Sequence, residues 1–212
     1  AHVGVVGELE VLPDLAPELT VGPFRPGARW PLYARFSNGM HGRRPDGKAD
    51  VRGFAVKLVG VPGRKLIPGL EDAATQDFLM IQTPALPVRG PHEFLHIVRA
   101  TAGSPLLALP RLVGKLGFAG TLKVLRGFTS APAVRSLATG RFFTAAPIRW
   151  GDAAVKLSLR PRIVDEVGAS KAPDGLRTEV VARLGAGPLA WTLEAQLFVD
   201  EATTPIEDAS VS

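Results

Sequence analysis

Few residues in this chain are able to do chemistry, and their spacing ranks them. His2 stands directly before the β-branched run Val3–Leu12, where an imidazole either acts as a general acid and base or simply flanks a strand. Arg35 lies two residues before Ser37 in the run YARFS. A strand there sets Tyr33, Arg35 and Ser37 on one face and Ala34, Phe36 and Asn38 on the other. If a barrel turns the first set inward, Arg35 needs an anionic partner, because an unpaired buried cation is very costly. An anionic ligand is therefore the first expectation. Tyr33, the single tyrosine, reads as a barrel-packing aromatic. His92 and His96 have helical i, i+4 spacing, but Glu93 alone accompanies them. They read as ordinary helix residues, and no metal site is assigned. His41, in a Gly- and Arg-rich loop, reads as solvated.

Other chemistries drop out. There is no GxGxxG after a strand, no GxxxxGK[ST], no HExxH and no GxSxG, the spacings that cradle phosphates, ligate zinc or expose a serine nucleophile. With no cysteine, disulfides, thiolate metal sites and thiol nucleophiles are excluded. The net charge of +5 reads as arginine-rich solubility. The densest basic cluster, Arg43, Arg44 and Lys48, sits in a loop without stacking aromatics, so no nucleic-acid partner is expected. No run nears the roughly 18 uninterrupted apolar residues of a membrane span, so no membrane insertion is expected.

Those side chains must be held by elements that periodicity can outline. Strand patterns run over Val3–Leu12, Pro31–Ser37, Val51–Val59 and Asp77–Thr83, and return at Ile148–Trp150, Ala153–Leu159, Arg177–Leu184 and Ala190–Val199. Between them, Pro91–Gly140 holds helix-compatible runs at His92–Thr101, Pro105–Phe118 and Gly120–Phe128, with a shorter one at Ala133–Ala138. Leu106, Leu107, Leu109, Leu112 and Leu116 have helical spacing, and packing against the domain is expected of them rather than lying on a membrane surface. About eight short strands with one helical insertion, residues 91–140, predict a mainly β (α+β) fold. The expected architecture is an antiparallel barrel of eight strands rather than a βαβ repeat. No repeat or linker divides the chain, so residues 1–212 read as a single domain.

Several segments together resemble one family. RFSNG (Arg35–Gly39) followed by DVRGFAVKL (Asp50–Leu58) is similar to the core of haem catalases and their smaller catalase-like relatives, with Val51 and Leu58 as mild departures. QTPALPVRGPHEF (Gln82–Phe94) and AWTLEAQ (Ala190–Gln196) resemble further family segments. PIRWGDAAVKLSL (Pro147–Leu159) and TTPIEDASV (Thr203–Val211) resemble the small catalase-related peroxidase subgroup.

The resemblance implies a haem-gripping barrel acting on peroxide. His2 matches the distal histidine that moves peroxide's proton, and Ser37 the serine that hydrogen-bonds and orients it. Arg35 matches the arginine on a haem propionate, which supplies the expected anion. Gly53 lets the backbone approach the porphyrin, and Phe94 matches an aromatic wall beside it. The family's distal asparagine falls near Ile81–Gln82, where Gln82 has the amide on a longer arm.

The family's proximal tyrosine ligand has no match, since Tyr33 lies in the wrong strand. The start at Ala1 and the end at Ser212 lead us to expect an excerpt of a longer chain. The leading expectation is a haem-dependent hydroperoxidase that breaks down hydrogen peroxide. The alternatives are a haem enzyme acting on organic or fatty-acid hydroperoxides, and a barrel that binds haem or a small ligand without turnover. A homo-oligomer fits the family. A soluble protein is expected; its compartment stays open, with a cytoplasmic one favoured.

Overall fold

The computed structural model describes residues 2–39, 45–48, 50–101, 105–129, 134–165 and 168–211. His41, Arg43 and Arg44 of the expected solvated loop lie outside the described residues. Alternation decides the strands. β1 (Val3–Glu10), β2 (Arg29–Asn38), β3 (Arg52–Val59) and β4 (Thr75–Ile81) follow one another as antiparallel neighbours. In β2 and β3 every second residue (Ala34 and Phe36; Phe54, Val56 and Leu58) is buried. Burying each such large apolar side chain is worth about 1.5–3 kcal/mol, and a one-residue slip would expose the whole set.

The second half of the sheet is built from β5 (Phe142–Thr144), β6 (Ile148–Trp150), β7 (Ala153–Pro161) and β8 (Trp191–Leu197). β4 pairs with β5, β5 and β6 both pair with β7, and β8 also pairs with β7. Eight antiparallel strands are present, the expected number, but no ladder joins β1 to β8 among the described residues. The sheet is curled rather than closed. Its curl brings Trp191 of β8 across the interior to Phe54, 5.3 Å between ring centroids, and to Phe36 at 6.1 Å. Phe36 stacks on Phe54 at 4.2 Å, and Phe142 closes the cluster against both.

Between β4 and β5 the chain forms α1 (Pro91–Thr101) and α2 (Pro105–Thr129). They share a separate small core of Val88, Ile97, Ala100, Leu112 and Val124. Gly117 breaks α2 with φ 70° and ψ 173°, a left-handed backbone that glycine adopts without steric cost. That break separates the two runs expected at Pro105–Phe118 and Gly120–Phe128.

Two expectations fail. Residues 134–138 of the short run Ala133–Ala138 form no helix. There the Ser136 hydroxyl accepts from the Ala138 and Thr139 amides, local bonds that compete with a helical ladder. Arg177–Leu184, read as a strand, is instead part of α3 (Gly175–Ala186). Its buried residues Leu176 and Val180 stand at i, i+4, and Glu179 pairs with Arg183 at the same spacing, both helical periods. β5, which the sequence pattern did not single out, supplies the eighth strand.

Candidate functional site

Directly opposed residues of an antiparallel ladder share a face. The register therefore lays out the outer side of β1–β4 as rows: Gly4, Arg35, Ala55 and Leu79; then Ser37, Gly53 and Ile81. The core lies on the other side, with Phe36 fully buried and Arg35 exposed. This corrects the expectation that the Arg35 face turns into the barrel. Arg35 makes no hydrogen bond or ion pair with described residues. Around it stand glycine, alanine and exposed aliphatics, Leu79 being 72% exposed.

Gly53 has a specific steric reason. A Cβ there would meet Ser37 Oγ at 2.9 Å, so the absent side chain keeps this face flat beside the hydroxyl. Small and apolar residues around one unpaired guanidinium, bounded one row on by the Lys57–Asp77 ion pair, fit one side of a planar apolar molecule that bears a carboxylate. They do not supply a metal ligand. No group of metal-ligating side chains gathers among the described residues, and Tyr33 stands on the same outward face as Arg35, 61% exposed.

His2 precedes the first ladder pair, and its ring turns to the end of the sheet. Nε2 lies 2.6 Å from Asn38 Oδ1, and Nδ1 lies 3.4 Å from Asp46 Oδ1. The His2 and Asp46 side chains are only 7% and 6% exposed. No hydrogen bond joins the ring to Ser37, whose hydroxyl packs against Gly53 instead. The amide nearest the ring is thus that of Asn38. Gln82 is engaged elsewhere: its Oε1 accepts from the Arg52 amide at 3.0 Å, and its Nε2 donates to the Asp50 carbonyl at 3.4 Å. Phe94 is a half-exposed residue in the first turn of α1.

Three residues organise this end of the sheet without having been singled out: Asn38, Asp46 and Arg52. Arg52 is 3% exposed and donates to Asn38 Oδ1 and to the carbonyls of Asp46 and Lys48. The signal for it was its parity. Arg52 alternates with Phe54, Val56 and Leu58, so a core-facing guanidinium with obligatory partners was implied.

A second cleft of about 330 Å³ opens on the outer side of β5, β7 and β8, lined in part by Arg141, Lys156, Ser158 and Glu194. Hydrogen bonding from Arg160, with the charge of Arg141 and the Ser158 hydroxyl adding to it, holds the Glu194 carboxyl below the usual range. Desolvation lowers the Lys156 ammonium below its ordinary value. None of the expected site residues lines this cleft.

No family model matches the chain. A catalase-related peroxidase of Mycolicibacterium paratuberculosis is 31% identical over 194 residues, covering 84% of this chain and 58% of the relative. The structure matches a fungal catalase with TM-score 0.70 at 20% identity, over 94% of this chain and 42% of the catalase. The chain belongs to the catalase-like superfamily. The same fold appears in catalase A of Saccharomyces cerevisiae and in a bacterial catalase, each with TM-score 0.68 at 17% identity. The chain spans 58% of the length of its curated relative and less than half of these catalases. It thus carries the catalase-like sheet together with α1–α3.

Proposed function

We propose that this catalase-like chain forms the haem-facing wall of a hydroperoxidase. The observation that carries the reading is the outer face of β1–β4, where unpaired Arg35 stands among small and apolar residues beside the Ser37–Gly53 contact. Arg35 pairs with a haem propionate through its planar fork. Gly53 and Ala55 let the macrocycle lie close to the backbone, and Phe94 adds an apolar edge.

Bound haem supplies the iron redox chemistry on peroxide. The part of this chain is protonic. The His2 ring takes a peroxide proton at Nε2 and returns it to the departing oxygen. Asn38 holds its amide beside that nitrogen, and Ser37, beside Gly53 on the outer face, would help hold the macrocycle. Gln82 acts as a positioning residue, bracing the backbone of Asp50–Arg52 from which Gly53 projects.

The test is an absorption spectrum of the full-length protein supplied with haem, followed by peroxide turnover. A Soret band is expected, with haem retention weakened about 10-fold or more in Arg35→Ala, the loss of a charge-assisted bond. In His2→Ala the band should persist while turnover collapses, by about 100-fold or more for a lost acid/base group. A full-length protein that takes up no haem sinks the reading. Faster turnover of a fatty-acid hydroperoxide than of hydrogen peroxide would move the substrate class to organic hydroperoxides.

A further inference from the structure

The α1–α2 insertion combines charge and exposed apolar surface in a way the sheet does not. In residues 91–129 Glu93 is the single acidic residue, and its carboxylate is turned back to accept the Arg89 amide at 3.0 Å. α2 holds Arg111, Lys115, Lys123 and Arg126 and no acidic residue, so its 25 residues carry +4 of the chain's net +5. The leucines expected to pack inward divide. Leu112 is buried and Leu116 packs beside it, whereas Leu107 and Leu109 are about half exposed.

Beyond the break at Gly117 the pattern is sharper. Phe118, Leu122 and Leu125 stand at i, i+4 and i+7, one stripe of a helix. All three are exposed, Phe118 the most. Thr121 and Val124 are buried, so the stripe is the side turned away from the insertion's own core. Lys123 and Arg126, each one residue past a leucine of the stripe and both exposed, border it along one edge.

We infer that the insertion docks on an anionic lipid surface, with the Phe118, Leu122 and Leu125 stripe seated at the headgroup boundary and the basic side chains on the lipid phosphates. An apolar stripe of Phe and Leu edged by Lys and Arg is what holds a helix in the plane of a membrane interface. No helix among the described residues is long and apolar enough to cross a membrane, so the helix lies on the surface. Charge selects this occupant. A second copy brings the same +4 helix against itself and repels it. A nucleic acid matches the charge but sets phosphate and sugar, not hydrocarbon, against Leu122 and Leu125, where stacking aromatics are wanted. An anionic bilayer satisfies both parts at once: hydrocarbon takes the stripe, and each Lys or Arg near the lipid phosphates strengthens binding about 5-fold. Asp208 of the C-terminal segment feels the Lys123 charge and offsets part of it, so Lys123 is best neutralised together with Lys115.

The test is co-sedimentation of the full-length protein with vesicles of phosphatidylcholine and phosphatidylglycerol, against vesicles of phosphatidylcholine alone. Haem is not needed, so this result and the haem reading stand or fall separately. Binding is expected on the anionic vesicles only, weakening as salt is raised. The double variant Lys115→Gln, Lys123→Gln should bind about 25-fold more weakly, about 5-fold for each charge. Phe118→Ser should weaken binding about 10-fold or more through the lost apolar contact. Phe118→Trp turns the stripe into a reporter, and quenching of its fluorescence by brominated acyl chains, beyond any change in the parent, supports seating in the lipid. A full-length protein that ignores anionic vesicles overturns the inference, as happens if the rest of the chain covers the stripe. So does binding that Phe118→Ser leaves unchanged, tighter retention by a DNA duplex than by the vesicles, or a dimer that Phe118→Ser dissolves.

Discussion

The curled sheet and the α1–α2 insertion solve the burial problem in different ways. The sheet encloses one continuous core in which Phe36, Phe54, Phe142 and Trp191 touch across strands that are not bonded to each other. Among the described residues the insertion rests on a small cluster of Val88, Ile97, Ala100, Leu112 and Val124, with Leu86 and Leu116 against it, and leaves large apolar residues outside, Phe118 being 77% exposed. Its longer helix carries Arg111, Lys115, Lys123 and Arg126 without an acidic residue. Arg111 and Lys115 at i, i+4 therefore repel where an opposite pair would attract. The sheet is over-determined by its packing and the insertion is not.

The largest expected difference comes from truncating one core residue in each region. Phe36→Ala should cost about 3–5 kcal/mol and Leu112→Ala about 2–3 kcal/mol, measured by chemical denaturation, because the second cavity can collapse toward an exposed surface. Equal costs, or a greater cost for Leu112→Ala, would break the comparison. A sharper contrast is one substitution with opposite signs. Gly53→Ala drives a Cβ to 2.9 Å from Ser37 Oγ and should destabilise by about 1–3 kcal/mol. Much of that loss should be recovered in the Gly53→Ala, Ser37→Ala double variant. Gly114→Ala in α2, where an added Cβ meets nothing within 4 Å, should stabilise by about 0.5–1 kcal/mol through helix propensity.

The smallest effect is electrostatic and belongs to the sheet. Glu194 is held below its ordinary value of 4.5, chiefly by Arg160. Its contribution is complete above that value and is lost as pH falls through the depressed folded one. A partly exposed pair of this kind is worth under about 1 kcal/mol. Glu194→Gln should flatten the acid-side decline of the melting temperature by that small amount. A decline unchanged by Glu194→Gln would assign the acid sensitivity to other carboxylates.

What could be read in the residues follows from which forces are local. Period-two alternation marked the ranges of β1 to β3 and of β6 to β8, and the apolar run DFLMIQT marked that of β4. Arg177–Leu184 misled, since RTEVVARL alternates as well as it winds. The choice fell to the i, i+4 burial of Leu176 and Val180 and to the Glu179–Arg183 pair. β5 reads FFT, with no polar–apolar alternation to mark it, whereas the equally short IRW of β6 alternates.

By itself, the sequence determined seven of the eight strands, the helical insertion and the pairing of Arg35 with Ser37 on one face, because alternation is a property of neighbours in the chain. It could not say which face turns outward, since that depends on how the whole sheet curls about Phe36 and Trp191. Nor could it select the partners of His2. Asn38, Asp46 and Arg52 are distant from it in sequence. Only the register of β1 on β2, and the loop held between Arg52 and α3, bring the Asn38 and Asp46 oxygens to the imidazole, where hydrogen bonding acts over about 3 Å.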